Sequence, residues 1–93
     1  MSEHPDTDDV DEYVRTELVR FVRALRRDGA AVPANAAPTA ARALAAVGLE
    51  NRRRVRTALR ASLLTDSADF ETFDRLFEEF WQRVGQVIYT SAT

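Results

Sequence analysis

Phe70-Glu71-Thr72-Phe73-Asp74-Arg75-Leu76-Phe77-Glu78-Glu79-Phe80-Trp81 holds four of the five phenylalanines and the only tryptophan of this 93-residue chain. The aromatic residues recur at steps of three, four and three, with Trp81 directly after Phe80. That is the apolar stripe of an amphipathic helix, and Glu71, Asp74, Arg75, Glu78 and Glu79 fill its other face. Each aromatic side chain buries about 150–250 Å², so this helix is the centre of the core and the rest of the chain must cover it.

Working upstream, a short break at Thr65-Asp66-Ser67 precedes it, where Asp66 or Ser67 can cap the aromatic helix. Before the break lies a helix whose buried stripe is Val55, Leu59 and Leu63 and whose exposed face is Arg52, Arg53, Arg56 and Arg60. Glu50 or Asn51 caps it. Gly48 closes an alanine-rich helix that Asn35 can cap, with Pro38 tolerated in its first turn. The first helix is expected to start near Asp8 or Asp9, to bury Val10, Tyr13 or Val14, Leu18, Phe21, Val22 and Leu25, and to end at Gly29 in left-handed geometry. Glu71–Arg75 and Glu79–Arg83 have the spacing of favourable pairs within one helix.

These readings predict an all-α fold, a four-helix bundle or an orthogonal four-helix array, with helices over 9–28, 36–47, 51–64 and 67–84. Residues 1–8 are expected to form a disordered acidic arm, 9–85 a single helical domain, and 86–93 a flexible tail or truncation point.

Composition closes several functional classes. The chain has no cysteine, which removes disulfides, thiolate metal sites and Cys nucleophiles. The longest uncharged stretch, Gly29 to Ala41, is broken by Pro33 and Pro38 and cannot span a bilayer. The first residues are acidic and lack an apolar signal-peptide core, so a cytoplasmic protein with no membrane partner is expected. All 13 basic side chains are arginine, which favours bidentate pairs with carboxylates. A net charge of −2 argues against bulk attraction to nucleic acid or anionic lipid.

No catalytic constellation emerges. His4 is alone in the acidic arm. Asp6, Asp8 and Asp9 suggest a calcium loop, but the positions that need Gly and Glu hold Asp11 and Glu17 relative to Asp6, and only the second fits. Neither a phosphate loop nor a nucleophile elbow is present, and Glu78 and Glu79 lie on a solvated face. No enzyme activity, cofactor or metal is expected.

The arginine-rich third helix is the one candidate binding surface. Helices two and three, joined by a Gly turn, superficially suggest a helix-turn-helix. Leu44 and Arg54 stand where that motif places a small and an apolar residue. Residues 50–60 carry five Arg against one Glu, while residues 66–79 carry six acids against one Arg. The cluster can therefore be neutralised internally, or it can meet an acidic protein surface. The expectation is partial neutralisation with Arg53 and Arg56 left free. The alternative is a small nucleic-acid-binding regulator using this helix.

The order of segments carries a resemblance. Phe21-Val22-Arg23-Ala24-Leu25-Arg26, Gly29 and Val32-Pro33 are followed by Ala41-Arg42-Ala43-Leu44 and Val47-Gly48-Leu49. Val55-Arg56-Thr57-Ala58-Leu59-Arg60-Ala61-Ser62-Leu63 and Phe73 to Trp81 complete the pattern. Over roughly residues 12–83 the chain resembles the N-terminal helical region of CoxE-like proteins, which carry a von Willebrand factor A domain. The resemblance implies a non-enzymatic helical interaction module, a MoxR-type AAA+ ATPase as partner, and a place in metalloenzyme maturation. The von Willebrand domain binds metal through Asp-x-Ser-x-Ser. Asp66-Ser67-Ala68-Asp69 does not match it, so no metal residue carries over. The chain is then either a piece of a longer protein or a stand-alone helical half.

Overall fold

The computed structural model describes residues 5–92, with side chains described over 10–87. The elements are α1 (Pro5–Arg27), α2 (Ala36–Val47), α3 (Arg52–Leu63), a single 3-10 turn (Ser67–Asp69) and α4 (Phe70–Ala92). No strand occurs among the described residues. The fold is all-α and built from four helices, as the periodicity predicts.

Two long helices and two short ones divide the work. At 1.5 Å rise per residue α1 and α4 are each about 34 Å long, and α2 and α3 about 18 Å. The α1–α4 pair is antiparallel: Asp28 meets Arg75, Phe21 meets Phe77, and Glu17 meets Arg83. α3 also runs antiparallel to α4 but covers only its first half, and α2 packs chiefly on α3.

The helix ends follow local chemistry. At the end of α1, Gly29 takes φ +96°, its N–H donates to the Arg26 carbonyl at 3.0 Å, and the Ala30 N–H donates to the Leu25 carbonyl at 2.9 Å. This is a Schellman closure, with buried Ala30 and Leu25 supplying its apolar contact. Gly48 ends α2 at φ +75°, where a side chain would strain the backbone. Asn51 caps α3, its Oδ1 accepting the Arg54 N–H at 3.1 Å, and Asp66 Oδ1 accepts the Ala68 N–H at 2.9 Å ahead of the 3-10 turn. The Asn35 side chain makes no capping bond. Its carbonyl instead accepts from Thr39, N–H at 3.3 Å and hydroxyl at 3.1 Å. The α1–α2 connector is tied down at both ends. Arg26 donates to the Pro33 carbonyl at 2.6 Å, and the Ala31 N–H donates to Asp69 at 3.1 Å.

Two boundaries differ from the sequence reading. α1 begins at Pro5, so residues 5–8 of the expected arm are helical. Proline is pre-organised for the first helical position, and acids in the next turn suit the positive end of the dipole. α4 runs through Gly85 to Ala92 where a break and a flexible tail are expected. A helical Gly costs only about 1 kcal/mol, and Val84 is fully buried just before it. His4 and the side chains of Asp6, Asp8 and Asp9 lie outside the described residues.

Phe73, Phe77, Phe80, Leu59, Leu63, Phe21, Leu25 and Leu44 are all buried in one cluster, as expected. On α1 Val14 faces the core and Tyr13 is half-buried. Phe21 sits among the α4 rings, with centroids 5.4 Å from Phe73, 6.4 Å from Phe77 and 5.3 Å from Phe80. Phe70 and Trp81 mark the edges of the stripe and are half-buried, Trp81 lying nearly parallel to Phe77 at 6.0 Å.

One charged residue shares this seam. Glu17 is only 4% exposed. Arg20 and Arg83 approach it at 3.5 and 3.7 Å, beyond good hydrogen-bond length, and its Oε1 makes no hydrogen bond among the described residues. The pairs expected within α4 are replaced by partners on α1 and its end: Arg83 turns to Glu17, and Arg75 to Asp28 at 2.9 Å.

Two outcomes follow from this packing. Phe77→Ala removes a fully buried ring from the centre of the cluster and is expected to cost about 3–5 kcal/mol. That is most of the stability of a domain this small, so chemical denaturation should find the variant largely unfolded or melting far lower. An unchanged midpoint would contradict the assigned core. Glu17→Met replaces a buried, weakly paired carboxylate, while Arg20 and Arg83 stay 58% and 45% exposed and can turn to water. Stability should rise, by about 1 kcal/mol. A loss of that size would mean the two long ion pairs hold the seam.

Candidate functional site

The buried stripe Val55, Leu59 and Leu63 fixes how α3 is rotated. The residues three positions before each buried one then face α4, and those positions hold Arg52, Arg56 and Arg60. Arg52 bonds Glu78, Arg56 bonds Asp74, and Arg60 lies over the Phe70 ring, its guanidinium carbon 4.5 Å from the centroid. Each step is one helical turn on both helices, in antiparallel order. Arg56 uses both Nε, at 3.1 Å, and Nη2, at 2.7 Å, on a single Asp74 oxygen. The Arg52 guanidinium also lies 5.4 Å from the Phe77 centroid, so it covers the core as well as pairing.

Of the four sequence-predicted residues, the structure brings Arg52, Arg56 and Arg60 into one ladder against α4. Arg53 points away from it. The expectation that Arg56 stays free is corrected: antiparallel packing sets Asp74 directly opposite, and the shared oxygen takes both donors. Arg53 is exposed and has no ion-pair partner among the described residues. Arg54, which the sequence suggested only as a poor match to a DNA-reading motif, is likewise exposed and unpaired.

A physical conflict marks this spot. Three arginines occupy the first turn of α3, and no acid accompanies them there. Cations are unfavourable at the positive end of a helix dipole. Glu78 offsets Arg52, and among the described residues no carboxylate forms an ion pair with Arg53 or Arg54. That three-Arg first turn is visible in the sequence and was the signal for Arg54.

Elsewhere the surface offers less chemistry. An open, mainly apolar groove lies between α1 and α2, floored by Val14, Leu18, Leu44 and Leu49 and rimmed by Asp11, Arg15 and Arg42. Among the described residues no group of three or more His, Cys, Asp or Glu is arranged to hold a metal ion. No helix among the described residues is long and apolar enough to cross a membrane.

Comparison with known proteins gives one match. A family model for the CoxE N-terminal helical bundle domain covers residues 18–84, from the middle of α1 to the last fully buried valine of α4. Neither a curated protein nor a solved structure matches the chain. The matched stretch contains the whole Phe21–α4 seam, both short helices and the arginine ladder, and the chain belongs to the CoxE N-terminal helical bundle family.

Proposed function

We propose that this domain is a non-enzymatic, cytoplasmic interaction module that docks onto a protein partner through the start of α3. The observation that carries the reading is the pair Arg53 and Arg54: exposed, without an ion-pair partner among the described residues, and set at the wrong end of a helix dipole. Local rules broken without compensation inside a fold tend to mark functional positions. A partner carboxylate placed there would meet two guanidinium groups and the helix N-terminus together. The family membership supports a helical module. A MoxR-type AAA+ ATPase is the partner that the CoxE resemblance suggests, with metalloenzyme maturation as the setting. Arg52, Arg56 and Arg60 border the proposed contact and are themselves engaged with α4.

The nucleic-acid reading fits this face less well. Glu78 and Asp74 lie along the same ladder as the arginines they bind, and both are half-exposed, so a phosphate backbone following α3 would run over acids.

The test is Arg53→Glu combined with Arg54→Glu, assayed for co-purification with the MoxR-type ATPase of the same genome. Acids in the first turn suit the dipole, so melting should hold or rise by a few tenths of a kcal/mol, roughly 0.3–1. Binding should fall. Undiminished binding would place the interface elsewhere. Binding to DNA with a log–log salt slope of about −1.8, the value for two neutralised phosphates, would favour the nucleic-acid reading.

A further inference from the structure

We propose that the outer face of α1 is a second docking strip, shaped for an acidic amphipathic helix of another protein. Arg15, Val19, Arg23 and Arg27 follow one another at four-residue steps. On a helix that spacing makes a slightly slanted line about 18 Å long. All four residues are exposed. The three arginines have no ion-pair partner among the described residues, although carboxylates elsewhere on this surface engage Arg20, Arg52, Arg56, Arg75 and Arg83. Val19 is 39% exposed and is the one exposed large hydrophobic among the described residues. It lies between Arg15 and Arg23, on an open outer surface formed by α1 alone from Asp11 to Arg27.

The charge pattern selects the occupant. Arg23 and Arg27 are like-charged neighbours one turn apart, an arrangement that repels within a helix and is relieved by a carboxylate laid between them. Val19 adds an apolar contact that a sugar–phosphate chain does not use. At the other end Asp11 and Glu12 lie on the same outer surface of α1 and repel a polyanion that continues along it. A finite helix meets all three conditions if it carries acids opposite the arginines and an aliphatic side chain opposite Val19. This strip uses none of the α3 residues and stands on observations separate from the proposed function above.

The experiment measures fluorescence anisotropy of labelled helical peptides of about five turns with the whole chain. The peptides carry Glu at the three positions facing arginine and Leu at the position facing Val19, in both chain directions. Single-stranded oligo-dT is the polyanion probe. At least one peptide should bind. Arg23→Glu with Arg27→Glu should weaken it by about tenfold or more, and Val19→Asp should weaken it too. Arg53→Glu with Arg54→Glu should leave it unchanged, so this strip and the α3 contact fail or succeed separately. Should the double reversal lose helicity by circular dichroism, Arg27→Gln and Val19→Ser apply the same test with milder changes. Three results would overturn the proposal: equal binding when Ser replaces the peptide Leu, oligo-dT competing as strongly as the peptide, or a self-associated dimer that the α1 variants dissolve.

Discussion

The contact of Phe21 with the phenylalanines of α4 is the constraint from which the rest of the architecture follows. Phe73, Phe77 and Phe80 line one side of α4, and Phe21 touches all three rings from α1. A single side chain can do so only if α1 crosses α4 closely along this stretch. The antiparallel register then places Asp28 beside Arg75 and Glu17 beside Arg83. The aromatic stripe is wider than one covering helix, however. Its remaining flank is closed by Val55, Leu59 and Leu63 of α3, all fully buried. α2 contributes mainly small side chains, Ala36 and Ala40 with Leu44, and serves to seal α3 against α1.

The arginine ladder shows how one set of residues serves packing and surface at once. Exposed ion pairs contribute little, about 0–1 kcal/mol each, so Arg52–Glu78 and Arg56–Asp74 do not hold α3 in place. The leucine stripe does. What the ladder adds is cover: the guanidinium groups of Arg60 and Arg52 lie over the Phe70 and Phe77 rings.

The periodic parts of this fold were legible in the sequence and the ends were not. The stripes on α1, α3 and α4 repeat at helical spacing, and burial follows them almost residue for residue. Asn51, Asp66 and Gly29 also announced themselves, because capping is chemistry that one residue performs with its neighbours. The start of α1 and the last turns of α4 failed for a different reason. Residues 5–9 have no apolar period, and residues 85–92 combine Gly with β-branched side chains, so local propensity spoke against a helix. Continuity with a well-packed stretch, ending in buried Val84, outweighed it. The ion pairs were illegible in the same way. Spacing suggested Glu71–Arg75 and Glu79–Arg83, yet Arg75 and Arg83 found acids from another helix end, a tertiary fact with no local signature. For the candidate surface, the run Arg52–Arg54 was plain. Which of its members stayed free depended on where Asp74 and Glu78 landed.

Net charge is a poor guide to what such a molecule attracts. The chain is −2 overall, but at physiological ionic strength exposed charges are screened beyond about 8 Å. An approaching surface therefore responds to the turn or two of helix in front of it. On α4 the acids facing α3 are taken up by arginines, and on α1 the outward arginines are not. Intramolecular pairing has thus sorted part of the charge: where α3 meets α4, opposite signs are matched. Among the described residues the arginines without an ion-pair partner include Arg15, Arg23 and Arg27 on the outer line of α1, Arg42 on α2, and Arg53 and Arg54 in the first turn of α3. On the two docking surfaces proposed above, selectivity would come from the spacing of those few guanidinium groups around Val19 and around the α3 N-terminus, so that a partner would be recognised by where it carries its acids, not by how many it has.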